Sequence, residues 1–249
     1  MTTAVLVHGN PETSHIWAPL LATLGSDDVV SLSPPGFGAP VPDGFGATSD
    51  DYVAWLVAEL ESLGAPVDLV GHDWGGGHVV RAACARPDLL RSWCTDIAGC
   101  FAPEYVWHDL AQAWQTPEVG EQVIAAQLET PPADRATRYE SLGMPADVAL
   151  TIAEGLDEAM GRCILSLYRS AAQPAMARWG RELPSAAARP GLALVPTKDM
   201  FTGGEELARA SATQAGAQVE VLDGLGHWWM LEDPARGAAA LRRFWAALD

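Results

Sequence analysis

Val67-Asp68-Leu69-Val70-Gly71-His72-Asp73-Trp74-Gly75-Gly76-Gly77 is the stretch on which the reading of this chain turns. A valine-rich apolar run ends at Gly71. An acid stands at position 73, three glycines follow Trp74, and Val79 to Cys84 is largely apolar at helical spacing. Strand, glycine-lined sharp turn and helix make a nucleophile elbow, in which the residue at the tip stands clear of the sheet. Glycine is needed around the tip because a Cβ would clash where strand and helix approach so closely. A serine usually occupies that place; here it is Asp73. A serine attacking saturated carbon would leave an ether, whereas a carboxylate leaves an ester that an activated water can hydrolyse. Asp73 therefore points to opening carbon–halogen bonds or epoxides rather than to cleaving esters. The plainer alternative is an ordinary helix N-cap in a glycine-rich turn.

With 249 residues and 49% hydrophobic content, the chain can bury the core of one large domain. Its net charge of −17, with only 15 basic residues, argues against nucleic acid or an anionic membrane as partner. A small neutral or weakly anionic organic substrate fits better. Cys84, Cys94, Cys100 and Cys163 lack metal spacing and read as reduced core residues of a cytoplasmic protein. No apolar run reaches ~18 residues, and Met1 leads into a strand rather than a signal peptide.

Ala4–Val7 reads as a buried strand, and short apolar runs at Val29–Leu32, Leu90–Ile97, Leu192–Val195 and Val219–Leu222 read as further strands. Between them, helical spacing marks Ile16–Leu24, Asp50–Leu63, Gly77–Ala85 and a last helix that Asp233 caps and Pro234 opens. Alternating strands and helices predict an α/β fold with a parallel sheet. From 101 to 185 the pattern lacks strands. Segments Glu104–Trp114, Val119–Leu128, Pro145–Met160 and Arg162–Ala171 look helical. This predicts a helical cap (lid) inserted into a core of residues 1–100 and 186–249. Ligands of open α/β sheets bind at the carboxyl ends of the strands, and an insertion leaving there would roof that site.

The polar candidates all follow strands: Asn10 after the first, Asp73 at the elbow, then Asp96, Asp199 and His227. Nucleophile, acid and histidine in this order is the pattern of a hydrolytic triad. His8, His15, His72, His78 and His108 have no partner at catalytic spacing, and His8 and His72 read as loop braces.

On these residues the chain resembles the α/β-hydrolases of the haloalkane dehalogenase and epoxide hydrolase group. His8-Gly9-Asn10-Pro11 is similar to their oxyanion loop, Gly71–Gly76 to their aspartate elbow, and Gly226-His227-Trp228 to their histidine loop. The resemblance implies an α/β-hydrolase fold. Two strands usual before the His-Gly loop are absent here, so about six strands are expected rather than eight. It further implies that Asn10 and Trp74 hold a departing halide, no metal or organic cofactor being needed. Tyr168 resembles an acid of epoxide hydrolases and also a fluoride-contacting tyrosine of fluoroacetate dehalogenases. Ala113 stands where a second lid tyrosine belongs, which weakens the epoxide reading. Trp114 either points its indole at the halide or packs the lid. Either Asp199 or Asp96 orients His227, and the usual place favours Asp199. The resulting expectation is a dehalogenase acting through an aspartyl ester. An epoxide hydrolase using Asp73, His227 and Tyr168 is the second reading, and a non-catalytic ligand-binding member of the fold the third.

Overall fold

The computed structural model of the chain describes residues 2–248. Six strands form one sheet: β1 (Ala4–Val7), β2 (Val29–Leu32), β3 (Val67–Gly71), β4 (Leu90–Thr95), β5 (Gly191–Pro196) and β6 (Ala217–Leu222). Their spatial order is β2-β1-β3-β4-β5-β6. Every neighbouring pair is parallel, as the expected α/β sheet requires.

The helices are α1 (Ala18–Leu24), α2 (Ser49–Leu63), α3 (Trp74–Ala85), α4 (Asp109–Gln115), α5 (Val119–Glu129) and α6 (Pro132–Ser141). They continue with α7 (Ala146–Gly155), α8 (Glu158–Ser170), α9 (Ala175–Gly180), α10 (Gly204–Gln214), α11 (Trp229–Glu232) and α12 (Pro234–Ala246). Successive side chains of a strand face opposite sides of the sheet. Val5, Val7 and Leu69 thus share a core with Leu56 and Leu60 of α2 and Val79 of α3. Ala4, Leu6 and Val70 share another with Leu20 of α1 and Leu241 and Phe244 of α12. None of the helices among the described residues is long and apolar enough to cross a membrane.

Four sequence expectations need correction. The helix expected over Pro145–Met160 is two helices, α7 and α8, parted at Leu156 and Asp157. Asp157 is extended, and its carboxylate accepts from Met160 N at 2.8 Å, capping α8. The helix expected from Glu104 begins only at Asp109, where His108 caps it. Residues before it are held differently, with Tyr105 OH donating to Phe201 O at 2.7 Å. Helices α6 and α10 carry no stripe of large apolar residues, because their buried positions are small: Ala136 alone in α6, and Ala208, Ser211 and Ala212 in α10. The strand expected to reach Ile97 stops at Thr95, and the elbow helix starts at Trp74 rather than Gly77.

The chain runs from β1 to one side, into β2, and then crosses to β3 on the other side of β1. That reversal opens a crevice at the carboxyl ends of the strands. Between β4 and β5 come α4 to α9, with no strand among the described residues.

Candidate active site

Asp73 lies between β3 and α3 with φ 51° and ψ −129°. A non-glycine residue held there costs about 1–3 kcal/mol, offset by the structure that fixes it. The packing around it is close. A Cβ on Gly75 would stand 2.2 Å from Val7 O, and one on Gly9 2.2 Å from Asp73 Oδ1. The glycines of the two motifs are thus what lets the β1 loop lie against the elbow. With that approach made, Asn10 N donates to Asp73 Oδ1 at 2.9 Å, and Asp73 N donates to Asp96 Oδ1 at 3.0 Å.

The other carboxylate oxygen, Oδ2, faces His227 Nε2 at 3.9 Å. The opposite ring nitrogen, Nδ1, lies 2.8 Å from Asp199 Oδ2. Asp199 is in turn held by Phe201 N, which donates to its Oδ1 at 2.8 Å. Burial opposes the charged form of His227, but Asp199 and Asp73 outweigh it and lift its pKa above 6.5. Burial also raises the pKa of Asp73, and His227 partly offsets this. For Asp199, the charge and hydrogen bond of His227 overcome burial and depress its pKa. Asp96, the alternative acid, is turned elsewhere: besides the Asp73 amide it meets His72 Nδ1 at 2.5 Å and accepts from Trp229 Nε1 at 2.7 Å.

Asn10 Nδ2 donates to the hydroxyl of Tyr168 at 3.3 Å, and the Trp74 ring meets the Tyr168 ring edge to face with centroids 5.3 Å apart. Both residues thus meet Tyr168, which lines cavities together with Asp73. Tyr168 is buried, its pKa raised by desolvation and by Asp73. Trp114 packs on it with ring centroids 4.8 Å apart, and Trp107 with centroids 5.5 Å apart. The indole N–H groups of Trp107 and Trp114 are buried without an acceptor among the described residues. Asp73, His227, Asn10, Trp114 and Tyr168 line one cavity of about 80 Å³.

Behind these groups lies a second polar set. Glu12, 0% exposed, meets His72 Nε2 at 3.1 Å with Oε1, and its Oε2 accepts from Gly9 N at 3.2 Å. The Trp228 indole also donates to Glu12. Burial opposes the charge on His72, but Glu12 and Asp96 outweigh it and hold its pKa well above 6.5. Burial would raise the pKa of Glu12, yet His72 pulls it down to about 2. The His72 and His227 rings are 4.5 Å apart, so this buried cation acts directly on the histidine facing Asp73.

Residues 4–240 match the family model described as "Alpha/beta hydrolase family". The chain belongs to the alpha/beta hydrolase family. Among curated relatives it is 34% identical over 90 residues to a haloalkane dehalogenase of Bradyrhizobium diazoefficiens, 35% of this chain and 29% of that one. It is 32% identical over 98 residues to an epoxide hydrolase of Caballeronia sordidicola, 34% of this chain and 27% of that one. The matched segments thus span less than a third of either relative. A solved structure of a haloalkane dehalogenase loop variant from Bradyrhizobium elkanii superposes with a TM-score of 0.73 at 21% identity, over 99% of this chain and 91% of that one.

Three residues of this alpha/beta hydrolase site escaped the sequence reading. Glu12 follows Pro11 in the β1 loop, and a lone acid there gives no sign of being buried. His108 is the N-cap of α4, with Nδ1 accepting from Ala111 N at 3.2 Å, yet it lines the cavity beside Asp73. Trp107 precedes it. Glu12, His72 and His227 offer ligand atoms within 4.8 Å of one another. Both nitrogens of His72 are already engaged by carboxylates and Nδ1 of His227 by Asp199, so the cluster reads as a hydrogen-bond network rather than a metal site.

Glu12→Gln tests that network. It leaves the buried His72 cation with one carboxylate instead of two. Breaking a buried ion pair typically costs about 3–5 kcal/mol, so the midpoint of thermal unfolding is expected to fall by roughly 6–20 °C. The contribution has a pH window with two ends. For Glu12, whose folded pKa is depressed, it is present above the unfolded value near 4.5 and lost as pH falls towards about 2. For His72, whose folded pKa is raised, it is full below 6.5 and lost as pH rises through the elevated value. The gap between native and variant should therefore be widest in mildly acidic solution. Calorimetric melts at several pH values check it, and a variant as stable as the native chain would remove the ion pair from the account.

Proposed function

We propose that this chain hydrolyses the carbon–halogen bond of a small haloalkane or haloacid through an ester on Asp73. The observation that carries the reading is the position of His227, which faces Asp199 with one nitrogen and Asp73 Oδ2 with the other. In the first step Oδ2 attacks carbon in line, and halide leaves with the bonding pair. Asn10 and Trp74, joined by Trp114 and Tyr168, supply N–H and O–H donors to that anion. In the second step His227 takes a proton from water, which attacks the ester carbonyl. Oδ1 becomes an oxyanion against Asn10 N–H, with Trp74 N–H as the second donor, each contributing ~3–4 kcal/mol in comparable sites. Collapse releases the alcohol with Oδ2, and His227 returns the proton to it. Asp199 orients the ring throughout. The buried indole of Trp114, without an acceptor among the described residues, favours an anionic leaving group over a purely packing role.

A second reading, epoxide hydrolysis, is favoured by one specific feature. An amide N–H can only donate, so the oxygen of Tyr168 accepts from Asn10 Nδ2 and its own proton is left for a nascent alkoxide. In both readings residues 101–185 act as a cap over a core of 1–100 and 186–249. The four free cysteines fit a reducing, cytoplasmic setting. Assays of halide release from haloalkanes and haloacetates, beside diol formation from epoxides, separate these readings. No turnover of either class would leave the third, ligand-binding reading. Tyr168→Phe sharpens the choice. For an epoxide, loss of the acid is expected to slow turnover by about 10²–10⁴-fold. For a halide, one neutral donor among several is lost, and halide release should slow by roughly tenfold. Halide release unaffected by the change would remove Tyr168 from the leaving-group site.

A further inference from the structure

The cavity at Asp73 adjoins an outer one of about 210 Å³, and the two share Pro11, Leu110, Trp114, Arg138 and Tyr139 in their walls. Arg138, on α6, is the cation at that junction. Among the described residues its guanidinium makes no ion pair and no hydrogen bond. Its neighbours differ: Arg135 donates to the carbonyls of Gln127, Thr130 and Ala153, and Arg169 is paired with Glu121. Asp134, one turn from Arg138 on the same helix, faces the outer cavity without pairing to it.

His108 faces the same space. Its Nδ1 accepts the backbone N–H of Ala111, which fixes the proton of the neutral ring on Nε2. That Nε2–H has no acceptor among the described residues. Burial, with the charges of His227 and Arg138, lowers the pKa of His108 to about 4, so the ring stays a neutral donor at ordinary pH. A cation and an N–H donor, both unanswered by protein, thus line the cavity that holds the nucleophile.

We propose that Arg138 and the Nε2–H of His108 hold a carboxylate of the substrate, which is therefore a short carboxylic acid presenting its reactive carbon to Asp73. This rests on the reading of Asp73 as the attacking group. The electrostatics make the arginine necessary. An anionic substrate approaching the Asp73 carboxylate, in a chain of net charge −17, is repelled unless a cation meets its acid group. Arg138 does so from the cap side, leaving the reactive end free to turn towards Oδ2. A neutral haloalkane needs no such cation.

The probes are bromoacetate, 3-bromopropanoate and 4-bromobutanoate, each beside its primary amide. In His227→Gln, the rate at which each alkylates Asp73 is followed by intact mass and peptide mapping. Adding Arg138→Gln should lower the acid-to-amide rate ratio by about 10–100-fold for at least one chain length, the usual scale for a hydrogen bond to a charged group. Arg138→Lys should restore part of it. His108→Ser, which keeps a capping oxygen for α4, should lower the ratio by a smaller factor. The ratio cancels both intrinsic reactivity and general damage to the variant. Adducts that form on Asp73 with a ratio unchanged by Arg138→Gln would overturn the inference while leaving the nucleophile in place. If no bromo compound or epoxide marks Asp73, the proposed function fails instead. Calorimetric titration with butanoate and butanamide then decides the inference. Butanoate binding weakened by Arg138→Gln supports it, and binding that is absent or unaffected overturns it.

Discussion

His227→Gln is expected to arrest the chain on a covalent ester of Asp73. The carboxylate needs no general base to attack carbon, because it is already an anion; only the water of the second step needs one. Removing the histidine should therefore spare alkylation and slow ester hydrolysis by at least about 10²–10⁴-fold, the usual contribution of a positioned base. Incubation with 1-bromobutane should add a butyl group to the protein mass, and an epoxide should add a hydroxyalkyl group, in either case on the peptide containing Asp73. The pH dependence has a definite sign. Burial raises the pKa of Asp73, and His227 is the largest influence lowering it. Without the histidine that pKa rises further, so alkylation in the variant should be lost at a higher pH than in the native chain. The reverse holds for the histidine. Once Asp73 is esterified its charge is gone, one cause of the raised pKa of His227 disappears, and the base becomes available at lower pH.

Asp199→Asn should be almost as severe, and its contrast with Asp96→Asn is the informative part. With Asn at 199 the ring of His227 loses the anion that fixes its tautomer and supports its positive charge. In a comparable triad that change costs about 10⁴-fold. The loss should fall on ester hydrolysis, so the adduct seen with His227→Gln should accumulate here too. Asp96→Asn acts on different atoms, since its carboxylate binds His72 Nδ1, Trp229 Nε1 and the Asp73 amide. It should lower the melting temperature and slow both steps together, without accumulation of ester. Rapid-quench kinetics of both variants, with the adduct followed by mass, check the contrast. An ester that accumulates with Asp96→Asn and not with Asp199→Asn would reverse the assignment of the orienting acid.

The parts of this site that were legible in the sequence are those where backbone geometry dictates residue type. The elbow demands glycine at 71 and 75, because a Cβ there would meet backbone within 2.5 Å. Strands β1 and β5 could be read because parallel strands buried on both faces are continuous apolar runs, and the half-buried edge strands β2 and β6 because they are rich in valine. Asp73, Asp199 and His227 stand at ends of such strands, and their order along the chain carried the rest. What stayed hidden depends on tertiary neighbours. Glu12 looks like any loop acid until His72 and Trp228 enclose it, and His108 looks like a helix cap until the other side of its ring is seen to face the cavity. The break between α7 and α8 was missed because Asp157 reads as one polar residue in a helical pattern, although its carboxylate caps the second helix. Arg138 belongs to α6, whose single buried residue, Ala136, left no apolar stripe to reveal the helix.

The claim on which all of this depends is that Asp73, and not water, attacks the substrate carbon. A single turnover in heavy-oxygen water, with enzyme in excess over a substrate found in the panel above, tests it directly. Because water attacks the ester carbonyl and the alcohol departs with an oxygen of Asp73, the label should enter the carboxylate of Asp73, and the alcohol of that first turnover should be unlabelled. Label in the alcohol, with an unlabelled Asp73 peptide, would mean that water attacks carbon directly and that Asp73 is not the nucleophile.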